Sequence, residues 1–311
     1  MKLLASTLLA VFALAFSLPA LAAQPLLTPA ELNNIDQNAA VRVIDIRPAK
    51  DYAAGHIPGA VSAPYHLWRG PADNPGKLPP EADLTKLVRS LGLTENTHAV
   101  VVSSGANSTD FGGSARVYWT LKYLGLTQLS ILNGGLKAWA DAGLPQDQAT
   151  PSVTPSDYVV HLDKSLIATT QDVAAQVDNP QTRLVDARPH NFYEGEVKAP
   201  TARIPGTIKN AVNLENGKWF EPGTSLFVSP AKAKQIASSE LTSPADETIS
   251  FCNTGHWAAT DWFALSEIAG VKNVRLYPAS LAEWSHDPDL PMENVPSRGE
   301  QILMKVKSLF N

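Results

Sequence analysis

Apolar residues along this chain fall in short runs separated by stretches of helical period. Val41, Val43 and Ile44 form one such run, read as a buried strand ending at Asp45 and Arg47. A short helical turn begins at Asp51 and Tyr52. A helix is expected over 83–91, a strand over 99–102, a helix over 114–124, a strand over 129–132 and a helix over 135–142. Helices are expected again over 170–177 and 230–238, around a strand at 183–186. Ile249 and Phe251 mark the end of another buried strand. Beyond it Ala258, Trp262, Leu265 and Ala269 share a helical face.

The pattern occurs twice. VRVIDIRPAKDYAAGHIPGAVSAPY at 41–65 is echoed by LVDARPHNFYEGEVKAPTARIPGTIKNAVNL at 184–214. Asp45 and Arg47 return as Asp186 and Arg188. Ile57-Pro58-Gly59 returns as Ile204-Pro205-Gly206 after an insertion, and LSILNGGLKAW at 129–139 matches VRLYPASLAEW at 274–284. So long a period means a duplicated domain, not a solenoid. Strands alternating with helices predict an α/β fold: two tandem domains, each a mainly parallel sheet with helices on both faces. The Pro-, Ser- and Thr-rich stretch 147–157 reads as a linker between domains at 24–146 and 158–311. The second domain ends in a helical pattern over 300–310.

Ligands of such sheets bind beyond the carboxyl ends of the strands, and Cys252, the only cysteine, lies there. Asn253, Thr254, Gly255, His256 and Trp257 form a tight loop before the next helix, joined at Ala258. Backbone N–H groups and the helix dipole in such a place favour a thiolate and an anionic sulfur attached to it. A lone cysteine after an apolar strand is also a common small core residue.

Composition narrows the classes. Of 311 residues 44% are hydrophobic and 18% charged, ordinary for a globular protein, and the net charge of −5 argues against nucleic-acid binding. Residues 1–23 read as a cleaved export signal: Lys2, an apolar run, Pro19 and small residues at Ala20-Leu21-Ala22. Nothing later is long and apolar enough to span a bilayer, so a periplasmic protein without a membrane anchor is expected. One cysteine in an oxidising compartment cannot form an internal disulfide, which favours a chemical role. No metal-ligand spacing is present and no cofactor is expected. A monomer is the default for two internally paired domains.

These motifs resemble the rhodanese family of sulfurtransferases in its tandem form. The resemblance rests on the two Asp-x-Arg strand ends, the two Ile-Pro-Gly segments, the C-x-x-G-x-x-A loop of Cys252, Gly255 and Ala258, and GGSARVYWTLKYLG with LNGGLKAW in the first half. It implies that the second domain alone is catalytic, the first half having no cysteine in its loop at 103–113. It also implies that Cys252 takes sulfur from a small donor, thiosulfate or a mercaptopyruvate-like acid, and passes it as a persulfide to cyanide or a thiol. The loop departs from thiosulfate-using members in holding Asn253 and Thr254 where basic residues stand, and Phe192 where an arginine is frequent. Arg203 or Lys198 is a candidate to replace that charge. His256 is read as a general acid, a cation below neutral pH, or a solvent-facing residue. Asp186 and Arg188 are read as cleft residues or as a pin for the strand end and loop, and Trp219 as a pocket or packing residue. Two other classes remain: a persulfide carrier loaded by a partner protein, and an oxyanion phosphatase or reductase. The second would want an arginine closing the loop, where this chain has Ala258, Ala259 and Thr260.

Overall fold

The computed structural model describes residues 23–35, 40–297 and 299–301; the expected export signal and most of the last helical pattern lie outside them. The first half builds β1 (Leu26–Leu27), α1 (Pro29–Asn33), β2 (Val41–Asp45), α2 (Ala49–Ala54), β3 (Val61–Ser62), α3 (Glu81–Ser90), β4 (His98–Val102), α4 (Ser108–Tyr123), β5 (Leu129–Leu132) and α5 (Gly135–Asp141). The second half builds α6 (Thr170–Gln176), β6 (Thr182–Asp186), α7 (His190–Tyr193), β7 (Thr207–Ile208), β8 (Val212–Asn213), α8 (Pro230–Glu240), β9 (Glu247–Phe251), α9 (Trp257–Phe263), β10 (Val274–Leu276), α10 (Leu281–Trp284) and β11 (Met292–Glu293). The strands order as β1-β5-β4-β2-β3 in one parallel sheet and β10-β9-β6-β8 in the other, while β11 and β7 pair antiparallel beside the second.

Alternation along the strands decides which core each side chain joins. Val101 of β4 joins a core that runs through both halves, with Ile44, Ala115, Val185, Cys252, Ala258 and Phe263. Its neighbours Val100 and Val102 face the other side, with Trp139 and Leu136. In the second sheet Leu184, Ile249 and Phe251 likewise back onto Tyr277 and Trp284. The shared core sits where α4 meets α9, sealed by Phe111 against Phe263 and Tyr118 against Phe263.

The duplication extends to single hydrogen bonds. Arg47 grips Asp45 and the Gly55 carbonyl, and Arg188 grips Asp186 and the Gly206 carbonyl. Leu136 and Lys137 donate to the carbonyls of Ser103 and Ser104; Leu281 and Ala282 donate to those of Cys252 and Asn253. Ser103 is therefore the counterpart of Cys252.

One expected boundary is wrong. The first-half loop does not extend over 103–113, because α4 begins at Ser108, where Asn107 caps it by accepting the Asp110 N–H. Gly112 and Gly113 hide the start of this helix from periodicity. Gly112 is there for close approach, since a Cβ on it would lie 2.7 Å from Nε2 of His256.

Candidate active site

The cysteine loop hangs between β9 and α9. Cys252 is 1% exposed. Its N–H donates to Oγ of Ser280 at 3.1 Å, and that hydroxyl donates to the Tyr277 carbonyl at 2.8 Å. Ser280 holds φ 54° and ψ −152°, a left-handed region that favours glycine; the matching place in the first half is Gly135, at φ 59°. The far end of the loop is pinned by Ser250, whose Oγ donates to the Ala258 carbonyl at 3.0 Å. Gly255 turns the loop at φ 66°, and a Cβ there would meet the Pro278 carbonyl at 2.5 Å and Nη1 of Arg116 at 2.6 Å.

Among the described residues, the backbone N–H groups of Asn253 through Ala258 have no protein acceptor. The matching first-half loop differs. There the Asp110 carboxylate accepts from the Gly105 N–H at 2.6 Å and from Ser104 Oγ at 2.9 Å, so this loop is filled by an anion of its own chain. Counting from the strand ends, Ala259 occupies the place of Asp110. One loop is thus bonded to a carboxylate of its own chain, while the N–H groups of the other have no such partner beside a buried thiol.

Asp186 and Arg188 are buried behind the loop. Besides its bidentate pair with Asp186, Arg188 reaches Oδ1 of Asn253 at 3.4 Å. This is the pinning arrangement, a carboxylate orienting a guanidinium that holds strand end and loop together. Trp257 meets Phe192 edge-on at 6.0 Å, giving the loop an aromatic wall where the resemblance leads one to seek a cation.

Two readings do not survive. Arg203 is exposed, donating to Ser285 Oγ through its backbone and to the His286 carbonyl, and Lys198 donates to the carbonyls of Ala199 and Ala202. Neither bonds to the loop. The insertion before Ile204 carries Arg203 outward, unlike His56, which is buried and stacked on Tyr52. Trp219 does not line a pocket: it is fully buried, and its Nε1 donates to Oδ1 of Asp261 at 2.9 Å. Burial first, then the nearby Asp186, raises the Asp261 carboxyl well above the usual range.

His256 is half-buried, and both of its ring nitrogens are engaged by protein groups. A carbonyl only accepts, so the 2.8 Å contact with Thr109 O requires the proton on Nε2; Nδ1 then accepts from the Tyr65 hydroxyl at 2.9 Å. The Tyr65 oxygen in turn accepts from Arg69 at 2.8 Å. Burial, followed by the charge of Arg69, pushes His256 down to about 4, so it is neutral through the physiological range and not a cation just below neutral pH.

The residues missed by sequence reasoning come from the first half. Arg69 donates to the Thr254 carbonyl at 2.9 Å, and Arg116 donates to the Gly255 carbonyl at 3.2 Å and to Gly76 O at 2.7 Å. Neither lies near a motif of the loop in sequence, and only the folded pairing of the halves brings them there.

Comparison with known proteins gives the same organisation. The family model described as "Rhodanese-like domain" matches residues 28–142 and again 169–287. A "Probable 3-mercaptopyruvate sulfurtransferase" of Pseudomonas aeruginosa is 32% identical over 257 residues, 78% of this chain and 86% of the relative. A "Thiosulfate sulfurtransferase" of the same organism is 31% identical, with coverages of 81% and 90%. Among solved structures, SseA from Escherichia coli superposes with a TM-score of 0.71 at 22% identity, covering 83% of this chain and 98% of that one. An anaerobic ergothioneine biosynthesis enzyme from Chlorobium limicola also gives 0.71, at 20% identity, with coverages of 89% and 66%. At these identities the two structures speak to the fold alone.

Proposed function

The chain belongs to the rhodanese-like family and is a sulfurtransferase, and on that premise we propose that it works through a persulfide on Cys252, loaded by a small anionic sulfur donor. The observation that carries this reading is the run of N–H groups from Asn253 to Ala258 without a protein acceptor beside the only cysteine, set against its first-half counterpart bonded to Asp110. The thiolate Sγ attacks the outer sulfur of the donor. A new S–S bond forms while the bond from that sulfur to the donor breaks, its electron pair leaving with the donor. The ring of N–H groups then holds the terminal sulfur anion. A thiol or cyanide attacks that sulfur, and Cys252 leaves as the thiolate.

A monoanionic 3-mercapto acid suits the site better than dianionic thiosulfate. Of the three guanidinium groups that reach the loop, Arg69 and Arg116 are engaged by its carbonyls and Arg188 by Asp186, Gly206 O and Asn253 Oδ1, and Phe192 and Trp257 wall it with aromatic surface. The burial of Cys252 favours a small donor over a persulfide carried by a partner protein. The signal-like pattern of Lys2, an apolar run, Pro19 and Ala20-Leu21-Ala22 supports export to the periplasm, where the reaction would take place.

Intact mass of the protein before and after mercaptopyruvate or thiosulfate, beside Cys252→Ser, tests the reading. One sulfur atom gained, removed by cyanide and absent in the variant, is expected, with faster loading from mercaptopyruvate. Failure to load from either donor overturns it; tight loading by thiosulfate overturns the choice of donor.

A further inference from the structure

We propose that Arg69 and Arg116 of the first domain are positioning residues for the sulfur cradle of the second: they hold the carbonyls of Thr254 and Gly255 outward, so that the loop N–H groups stay turned toward Cys252. The inference rests on the reading of Cys252 as the sulfur-bearing residue. In a trans peptide the C=O and N–H point in opposite directions. Fixing the Thr254 carbonyl therefore fixes the Gly255 N–H, and fixing the Gly255 carbonyl fixes the His256 N–H. Arg69 does the first at 2.9 Å and Arg116 the second at 3.2 Å.

Three features separate this from a routine interdomain contact. Arg116 is fully buried, yet its hydrogen-bond acceptors are two carbonyls, Gly255 O and Gly76 O, and its Nε has none. A buried cation paired only with carbonyls is costly. It packs over the Trp119 ring at 5.3 Å, which fixes its fork. Burial, followed by the charge of Arg69, brings its guanidinium down to about 9, still protonated at neutral pH. Arg69, for its part, spans two acceptors, the Tyr65 oxygen and the Thr254 carbonyl. It thereby ties the loop to the hydrogen-bond chain through Tyr65, His256 and Thr109. The guanidinium groups thus act on sulfur through the backbone that faces it.

The test compares wild type, Arg69→Gln, Arg69→Lys and Arg116→Lys. Two readouts are taken: the rate at which iodoacetamide alkylates Cys252 at pH 7, and the lifetime of the loaded persulfide without acceptor, followed by intact mass. Arg69→Gln is expected to slow alkylation and shorten the persulfide lifetime by about tenfold each, at an unchanged circular dichroism spectrum. Arg69→Lys keeps the charge but cannot span both acceptors, and is expected to recover only part of each. Arg116→Lys is expected to behave in the same way; should it fail to fold, the half-exposed Arg69 still decides. Full recovery by Arg69→Lys would show a simple charge effect and overturn the positioning role, as would wild-type rates in Arg69→Gln. A wild type that takes up no sulfur would instead defeat the persulfide reading, and alkylation would still decide on the loop.

Discussion

Replacing Ser280 by glycine and by alanine separates two roles that one residue combines. Its hydroxyl accepts the Cys252 N–H at 3.1 Å and donates to Tyr277 O at 2.8 Å, while its backbone sits at φ 54°. Ser280→Ala loses both hydrogen bonds, leaves the buried Cys252 N–H without a partner and keeps the unfavourable φ, at a cost of about 1–3 kcal/mol. Ser280→Gly loses the same bonds but relieves the φ, a gain of about 1 kcal/mol or more. The glycine variant is therefore expected to be the more stable of the two by about 1 kcal/mol, or about 1.5 °C in melting temperature for a chain this size. Both variants release the Cys252 backbone equally, so sulfur loading should fall alike, by about tenfold. Calorimetry and intact-mass loading check the two halves of the argument. Equal melting temperatures would show that no strain is held at Ser280, and wild-type loading in both variants would refute its hold on Cys252.

Other expectations follow from the same geometry. Ala259→Asp places a carboxylate where Asp110 stands in the first half and is expected to abolish persulfide formation without unfolding the chain, read by mass and circular dichroism. His256 is held at about 4 in the folded state against an unfolded value of 6.5. The unfolded chain alone therefore takes up this proton between those values, and the histidine's contribution to stability is lost as pH falls from 6.5 to about 4; urea titrations at pH 7 and pH 5 should show a smaller loss in His256→Gln. Asp261 has the opposite sign: raised when folded, it favours the fold below its unfolded value, a contribution lost as pH rises through its folded value. Asp261→Asn retains an acceptor for Trp219 and is expected to raise the melting temperature at pH 8 more than at pH 5.

The repeat, the parallel sheets and the strand-end cysteine were all legible because each has a local signature: alternation, Asp-x-Arg, Ile-Pro-Gly and a single thiol. What escaped reading was contact between halves. Arg69 follows a short turn with no motif of its own, and Arg116 looks like one more residue of a buried helix, yet both reach the cysteine loop. Arg203 misled for the opposite reason. It aligns with His56, but its guanidinium donates to the His286 carbonyl and not to the loop. Ser280 was invisible because φ is not written in composition, and its partner Gly135 drew attention only as part of a repeated string. The loop boundary at Gly113 failed because Gly112 and Gly113 carry no apolar side chain to mark the helical period, while Gly112 serves inside α4 to admit His256.

The meeting of α4 with α9 carries a further consequence. Equivalent elements of two similar halves face each other. The segment after the turn at Tyr65–Trp68 brings Arg69 to the second loop, and the segment after the turn at Asn216–Trp219 brings Phe220 against Phe111 near the first. Such mutual contact is how a twofold homodimer is built, here written into one polypeptide. A true homodimer must carry two identical clefts, because one gene encodes both. Fusion removes that constraint, so one copy has been free to fill its loop with Asp110 while the other stays open beside Cys252, an asymmetry that no pair of identical subunits can encode.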